Sequence, residues 1–283
     1  MCYNICRILA FNFSLGGKIM KKTMALVLAA VISGTVFAQT PAEIVDKSVT
    51  ITPPDYSETI LTMDLLDRNG KVTEHRQINQ YGDRKSGLVR TVFDIRSPAS
   101  VKDTRILQAE NANKSDDKWI YLPSLKTTRR IANTEKKKSF VGSEFTYNDM
   151  TLREADKDEH TFVNENGSYT TNGKAYSVWI IKSVPVKDKN LEYAYRIQYI
   201  DKESNIPLLM EFYNKKDEKI KEAILEKFSK VKGSTGREYW LRQSQLVKNL
   251  ETGKQTRVIV EKYTFDKPIS DRYFTQNWLN TGK

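Results

Sequence analysis

Short segments of alternating apolar and polar residues follow one another at regular spacing in two stretches, residues 59–109 and 175–264. Segments of this length, separated by polar turns, are typical of antiparallel sheets, in which side chains alternate between two faces. The clearest turn signal is Asn69-Gly70, which predicts a hairpin because both residues tolerate positive φ angles. The pattern therefore predicts a mainly β chain organised as one continuous antiparallel sheet.

The predicted strands number about ten, and a sheet of that size has to curl or close to protect its edges. Its concave face must then be filled by side chains, covered by helices or used to hold a ligand. Segment 219–230 could also form a helix by its charge pattern, but the short turns on both sides favour a strand. The segments predicted as strands are 59–66, 73–81, 87–95, 104–109, 119–122, 175–184, 192–201, 207–213, 220–228, 238–247 and 256–264.

Two helices are predicted to cover the concave face. The first is 41–49, with Thr40 as N-cap and Pro41 at the first helical position. The second is 146–155. In segment 192–201, Tyr193, Tyr195, Ile197 and Tyr199 share one face and Arg196 and Gln198 the other, but the alternation does not show which face is concave.

The N-terminus predicts export. Lys21-Lys22 precede a short apolar run, and Val36-Phe37-Ala38 has the form of a small-residue cleavage site. A retained membrane anchor is the alternative, although the apolar run is short for a membrane span. We expect a protein that is soluble in the periplasm, or secreted, after cleavage near Ala38. The predicted organisation is an upstream extension from an earlier start codon (1–19), a signal peptide (20–38) and a single domain (39–283).

Charge and cysteine content restrict the partners. The chain has 46 Lys and Arg residues against 35 Asp and Glu, a net charge of +11. A cationic surplus attracts nucleic acid or anionic membranes, and export favours membrane or lipid over nucleic acid. The cysteines, Cys2 and Cys6, both precede the predicted cleavage site. We therefore expect a domain without disulfide, thiol nucleophile or lipidated cysteine.

Catalytic and metal-binding patterns are weak. His75 lies in a predicted strand and His160 beside the acidic stretch 156–159, which is expected to be a solvated loop. Neither spacing is typical of a metal site. Ser143 could act as the nucleophile of a hydrolase, but a role in a turn or as a helix N-cap explains it better. We expect no enzyme activity, no catalytic or metal-binding residue and no cofactor.

An aromatic strand stands directly beside a cluster of cations. Trp119-Ile120-Tyr121-Leu122-Pro123 is followed by Lys126, Arg129-Arg130 and the lysines 136–138. Aromatic side chains can line an acyl pocket, and an arginine can bind a phosphate or carboxylate with two hydrogen bonds. An ordinary core strand beside a solvated loop is the open alternative. The residues predicted to line or rim an acyl cavity are Trp119, Tyr121, Leu122, Arg129, Arg130, Ile131, Phe140, Phe145 and Tyr147.

Four parts of the sequence resemble the outer-membrane lipoprotein-sorting protein family, which is related to the LolA and LolB carriers. The central part joins the aromatic strand, Arg129-Arg130-Ile131 and 142–149. The other matching parts are Ile206-Pro207 with 211–213, Glu238-Tyr239-Trp240 and the C-terminal 265–275. The resemblance implies an unclosed antiparallel β-barrel of about eleven strands wrapped around covering helices. It also implies a cavity for the acyl chains of lipids or lipoproteins. An inner-membrane export transporter and an outer-membrane acceptor are the protein partners it implies.

The leading hypothesis is therefore a monomeric periplasmic carrier that binds acyl chains and delivers them toward the outer membrane. A structural envelope protein, which docks on a membrane or transporter without carrying lipid, is the alternative from another class. A hydrolase of envelope lipids acting through Ser143 is the third, and no base for it is evident in the sequence.

Overall fold

The computed structural model describes residues 39–112, 115–151, 153–187 and 191–283. The predicted upstream extension and signal peptide, with the cleavage site, lie outside the described residues. The first element is helix α1 (Pro41–Val49), with Pro41 in its first turn. Thr40 Oγ1 accepts a hydrogen bond from Glu43 N at 3.3 Å, and the Glu43 carboxylate accepts one from Thr40 N at 2.8 Å. This reciprocal cap satisfies backbone donors that a helix start leaves unpaired, and it confirms the predicted helix and its N-cap.

Thirteen strands form one antiparallel sheet. A second helix, α2 (Gln276–Thr281), lies near the C-terminus, and no helix among the described residues is long and apolar enough to cross a membrane. The strands are β1 (Tyr56–Leu66), β2 (Val72–Asp83), β3 (Arg90–Ser97), β4 (Arg105–Ala109), β5 (Asp117–Leu122), β6 (Thr127–Arg130), β7 (Asp158–Thr171), β8 (Lys174–Pro185), β9 (Tyr195–Asp201), β10 (Pro207–Tyr213), β11 (Lys219–Lys232), β12 (Glu238–Asn249) and β13 (Gln255–Phe265).

The sheet consists of two meanders, β1 to β6 and β7 to β13, which join where β1 pairs with β13. Strands β6 and β7 follow one another in the chain, yet they lie at opposite edges of the sheet and do not pair. The predicted class, mainly β with an unclosed antiparallel sheet, is confirmed. The strands number thirteen rather than about eleven. The ambiguous segment 219–230 is a strand, as predicted.

The hairpin predicted at Asn69-Gly70 is also confirmed, since β1 pairs with β2 around it. Its turn differs in detail from the expectation. Gly70 takes φ +77°, whereas Asn69 is not among the residues with positive φ. The Asp67 carboxylate accepts hydrogen bonds from Asn69 N and Lys71 N, both at 2.9 Å, and so organises the turn.

The two edge strands were not predicted from the sequence. Strand β6 is Thr-Thr-Arg-Arg and is largely exposed, and β7 carries polar side chains along most of its length. Polar edges discourage pairing with other chains, and they also remove the apolar alternation by which strands are recognised. The expectation that 156–159 is a solvated loop is wrong at Asp158, which is buried and begins β7.

The connection between the two edge strands, residues 131–157, has to travel from one edge of the sheet to the other. We call it the crossing segment. Phe140 is 1% exposed, and its ring packs edge-on against Phe93 at 5.3 Å and Tyr147 at 5.6 Å. The helix predicted over 146–155 is wrong: residues 147–151 form turns and a bend, and residues 153 and 154 are irregular. Thr146 N and Oγ1 both donate to the Asp149 carboxylate and so organise the first of these turns. The crossing segment therefore covers the sheet as a packed loop.

The strand register defines an inner and an outer face. On the inner face, β1 to β5 contribute one apolar cluster that the crossing segment covers: Leu61, Met63, Ile78, Phe93, Ile95, Ile106 and Ile120. Further along the sheet, Ile44 and Val45 of α1 pack against Ile181 and Ile200. Helix α2 instead packs Trp278 on the outer face. The inner face between α1 and the crossing segment remains open.

Candidate functional site

A cavity of about 680 Å³ lies on the inner face of β9 to β12. The end of α1 borders it on one side and the crossing segment on another, with Val49 and Phe145 contributed by these two elements. This volume falls within the range of roughly 300–1,000 Å³ that is typical of small-molecule sites. Apolar side chains form much of its wall: Val49, Phe145, Leu191, Tyr193, Pro207, Met210, Phe212, Ala223, Leu225 and Val247.

Strand alternation explains why these side chains meet. Cross-strand partners in a sheet point to the same side, and Met210 is paired with Ala223, which is paired with Val247. Gln198, which also lines the cavity, is the partner of Met210 on β9. The face that carries Arg196 and Gln198 is therefore the inner one, while Tyr195 and Tyr199 lie on the outer side.

A buried carboxylate holds two arginines at one end of the cavity. The Asp158 side chain is 0% exposed. Its carboxylate accepts from Arg153 Nη2 at 2.7 Å and from Arg196 Nη2 at 3.1 Å. Arg196 is itself only 8% exposed, and its Nε has no hydrogen-bond acceptor in the described part of the chain. Buried ion pairs of this kind persist because each charge compensates the other for the loss of water.

A second ion-pair cluster ties the crossing segment to the sheet. Lys221 of β11 donates from Nζ to Asp149 at 3.0 Å and to Glu192 at 2.7 Å. Burial by itself would lower the pKa of Lys221, but the two carboxylates outweigh burial and raise the pKa above its ordinary value. Lys221 is therefore charged at neutral pH, and it holds Asp149 of the crossing segment at the cavity wall.

Arg242 of β12 projects into the same cavity. Its side chain is exposed toward the cavity space, and the surrounding protein lowers its pKa by partial desolvation. No ion pair or hydrogen bond engages its guanidinium within the described ranges of the chain. The guanidinium therefore keeps its N–H donors available on the cavity wall.

The structure distributes the nine predicted site residues over several environments. Phe145 lines the cavity. Trp119 and Tyr121 lie on the outer face against α2, where Arg105 stacks over the Tyr121 ring at 5.4 Å. The other hydrophobic residues among the nine belong to the apolar cluster beneath the crossing segment: Leu122, Ile131, Phe140 and Tyr147.

Arg129 and Arg130, which were predicted to bind a ligand head group, are each paired with a carboxylate of the protein. Arg129 pairs with Glu135 at 2.9 Å, and Arg130 pairs with Asp117 at 2.5 Å. Both pairs are surface pairs, which contribute little to stability, but they neutralise the two arginines of the cationic cluster. Contact of these residues with a ligand stays a prediction.

The hydrolase hypothesis finds no support around Ser143. Its hydroxyl donates to Phe140 O at 2.7 Å and accepts from Phe145 N at 3.3 Å, so it organises a turn. His160 is engaged by Ser183 Oγ and Ala155 O, both at 2.8 Å. The described residues also contain no group of His, Cys, Asp and Glu side chains that could hold a metal ion.

Sequence reasoning missed the polar lining of the cavity. Arg196 and Gln198 were assigned to one face of their strand, which was a usable signal, but nothing in the alternation identified that face as concave. In the sequence, nothing distinguishes Lys221 and Arg242 from the many other cationic residues of β11 and β12. Their position inside the molecule follows only from the way the sheet curves.

Comparison with known proteins agrees with this architecture. A protein-family model with the description "Uncharacterized protein" matches residues 87–281, more than half of the chain. A domain named for outer membrane lipoprotein sorting from Vibrio parahaemolyticus is similar in structure, with a TM-score of 0.73, 25% identity and coverage of 85% of this chain and 98% of that one. The chain belongs to the family that this model describes, and its similarity to solved structures shows a LolA-like fold.

Two further crystal structures share the LolA-like fold. A DUF1329 family protein from Desulfovibrio piger has a TM-score of 0.73, 22% identity and coverage of 85% of this chain and 100% of that one. A LolA superfamily protein from Nitrosomonas europaea has a TM-score of 0.57, 15% identity and the same coverage, 85% and 100%. No curated protein matches the chain. The cavity on the inner face is the feature of this LolA-like fold suited to binding.

Proposed function

We propose that this protein is a periplasmic carrier that binds acyl chains of lipoproteins or lipids in the inner-face cavity and delivers them toward the outer membrane. The observation that carries the proposal is the cavity of about 680 Å³, with a partly apolar wall, on the inner face of a LolA-like sheet. Burial of acyl methylenes, worth about 0.8 kcal/mol each, would supply the binding free energy without a cofactor or a chemical step.

The proposal includes the organisation expected from the sequence. Residues 39–283 form the lipid-binding domain, and residues 20–38 direct its export. An inner-membrane export transporter would load the monomeric carrier, and an outer-membrane acceptor would unload it. The sheet is unclosed, which supports this cycle. The crossing segment, which borders the cavity, is tied to β11 by the ion pairs of Lys221, and water can replace these polar contacts when the cavity opens.

A cavity-filling substitution tests the proposal. Ala223 lies on the cavity wall between Met210 and Val247, so a tryptophan there occupies the space of an acyl chain. We expect Ala223→Trp to reduce binding of a fluorescent fatty acid at least 10-fold. Ala175→Trp, on an exposed position of β8, is the matched control and should bind normally.

Two results would contradict the carrier function. If the purified protein carries no lipid detectable by mass spectrometry and takes up no fatty acid, the carrier function is refuted. Salt-sensitive binding to anionic vesicles without lipid extraction would instead support the structural envelope protein. Circular dichroism of both tryptophan variants shows whether a loss of binding reflects loss of the fold.

A further inference from the structure

We infer that the cavity binds a single-chain amphiphile with an anionic head group, and that Arg242 binds this head group inside the protein. The inference rests on the proposed function and narrows it to a class of cargo. The shared chemistry is an oxyanion, carboxylate or phosphate, at the end of one acyl chain. Three observations support it: the unpaired guanidinium, the charge of the cavity lining and the volume of the cavity.

The first observation is the state of Arg242. It lines the cavity, as Gln245 of the same strand does, and its guanidinium has no acceptor in the described part of the chain. A guanidinium presents several N–H donors in a planar arrangement that matches a carboxylate or phosphate. An amphiphile whose chain fills the cavity would displace water beside Arg242, and this would strengthen the attraction between the guanidinium and an anionic head group. Arg196 Nε, also without an acceptor, lies in the wall of the same cavity.

The second observation is a surplus of positive charge. Four of the six cationic side chains that line the cavity are ion-paired: Arg153 and Arg196 with Asp158, Lys157 with Glu154, and Lys221 with Asp149 and Glu192. Arg242 and Lys136 keep no ion-pair partner among the residues that the structure describes, and Asp116 is the lining acid without one. The lining of the cavity is therefore left with a small positive surplus, which an anionic cargo would compensate.

The third observation is size. A cavity of about 150 Å³ holds one benzene ring, so by proportion about 680 Å³ holds roughly 25 to 30 non-hydrogen atoms. That is enough for one long acyl chain with its head group. A lipoprotein anchor or a diacyl phospholipid has several chains, of which the cavity would hold one. The acyl chain lies against the apolar side chains from Met210 to Val247, and Arg242 binds the head group.

The test compares amphiphiles that share one chain and differ in the head group. Palmitate, hexadecyl phosphate and hexadecanol compete with a neutral fluorescent chain for the delipidated protein, and inorganic phosphate competes alone. We expect the two anions to bind at least about 10-fold more tightly than the alcohol, because a hydrogen bond to a charged group contributes this much to the binding free energy. Arg242→Gln should remove this preference while hexadecanol binding is retained, and Arg242→Lys should keep part of it. Arg68→Gln, which removes an exposed cation in the β1–β2 turn, should leave the preference intact.

The outcomes separate the inference from the proposed function. Equal binding of palmitate and hexadecanol, or a preference that survives Arg242→Gln, overturns the inference and leaves the carrier function standing. Failure of every amphiphile, hexadecanol included, overturns both. Competition by inorganic phosphate as strong as that of hexadecyl phosphate would show an anion site unconnected with the chain, and would also overturn the inference.

Discussion

Lys118 provides the sharpest test of how the crossing segment is packed. Its side chain is 1% exposed, and Nζ donates to Tyr147 O at 2.6 Å, beneath the crossing segment. Burial, together with the nearby charge of Lys136, lowers the pKa of Lys118 to about 8 from 10.5. We expect this residue to make the stability of the protein depend on pH in the alkaline range.

The sign follows from proton binding. Between pH 8 and 10.5 the folded protein has released the Lys118 proton, whereas the unfolded chain still binds it, so stability rises with pH. Each pH unit well inside this window adds about 1.4 kcal/mol. From pH 7.5 to pH 9.5, Lys118 should therefore add about 2 kcal/mol to the free energy of unfolding. The neutral amine still has N–H groups to donate to Tyr147 O, so the contact persists.

The substitution is Lys118→Met, which keeps most of the volume and removes the titrating group. Urea unfolding followed by circular dichroism at pH 7.5, 8.5 and 9.5 measures the difference between the wild type and the variant at each pH. We expect the wild type to gain about 2 kcal/mol relative to Lys118→Met across this range, and Lys137→Met, an exposed control, to follow the wild type. Parallel stability profiles of the wild type and Lys118→Met would refute the buried position of Lys118.

Two further predictions concern stability. Phe140→Ala should lower the free energy of unfolding by about 3–5 kcal/mol, because it empties a buried aromatic site, whereas Leu125→Ala, at a position 66% exposed, should change it by less than about 0.5 kcal/mol. A small effect at Phe140, measured by urea unfolding, would mean that the crossing segment is not anchored there. Asp158→Asn should cost about 3 kcal/mol or more, because it leaves two guanidinium groups without their buried carboxylate. Asp156→Asn, in the exposed part of the same acidic stretch, is its control, and equal thermal unfolding of the two variants would argue against the buried pairs.

Most strands were predictable because their signal is local. Alternation with a period of two identified eleven of the thirteen strands, and the turn at Gly70 marked the first hairpin. The strands that were missed, β6 and β7, are the two edges of the sheet. An edge strand can be polar along most of its length, so it shows little of the pattern that identifies a buried strand.

The candidate site was much less predictable. Trp119 belongs to the part of the sequence that carries the family resemblance and Phe140 stands close to it, but they lie against α2 and beneath the crossing segment, respectively. Residues in such packed positions support the fold, and aromatic content alone does not distinguish a packed wall from a ligand-binding one. Of the nine residues predicted to line or rim an acyl cavity, Phe145 is the one on the cavity wall.

The sequence by itself predicted eleven of the thirteen strands, the capped helix α1, the antiparallel class and the resemblance to LolA-like carriers, because each of these depends on neighbouring residues or on a recognisable motif. The tertiary structure decided which face of the sheet is concave, that β1 pairs with β13, and that residues 131–157 cross the inner face. It also placed Arg242, Lys221 and Arg196 together in one cavity. These features depend on the twist of the whole sheet and on contacts between residues far apart in the chain, which no local pattern encodes.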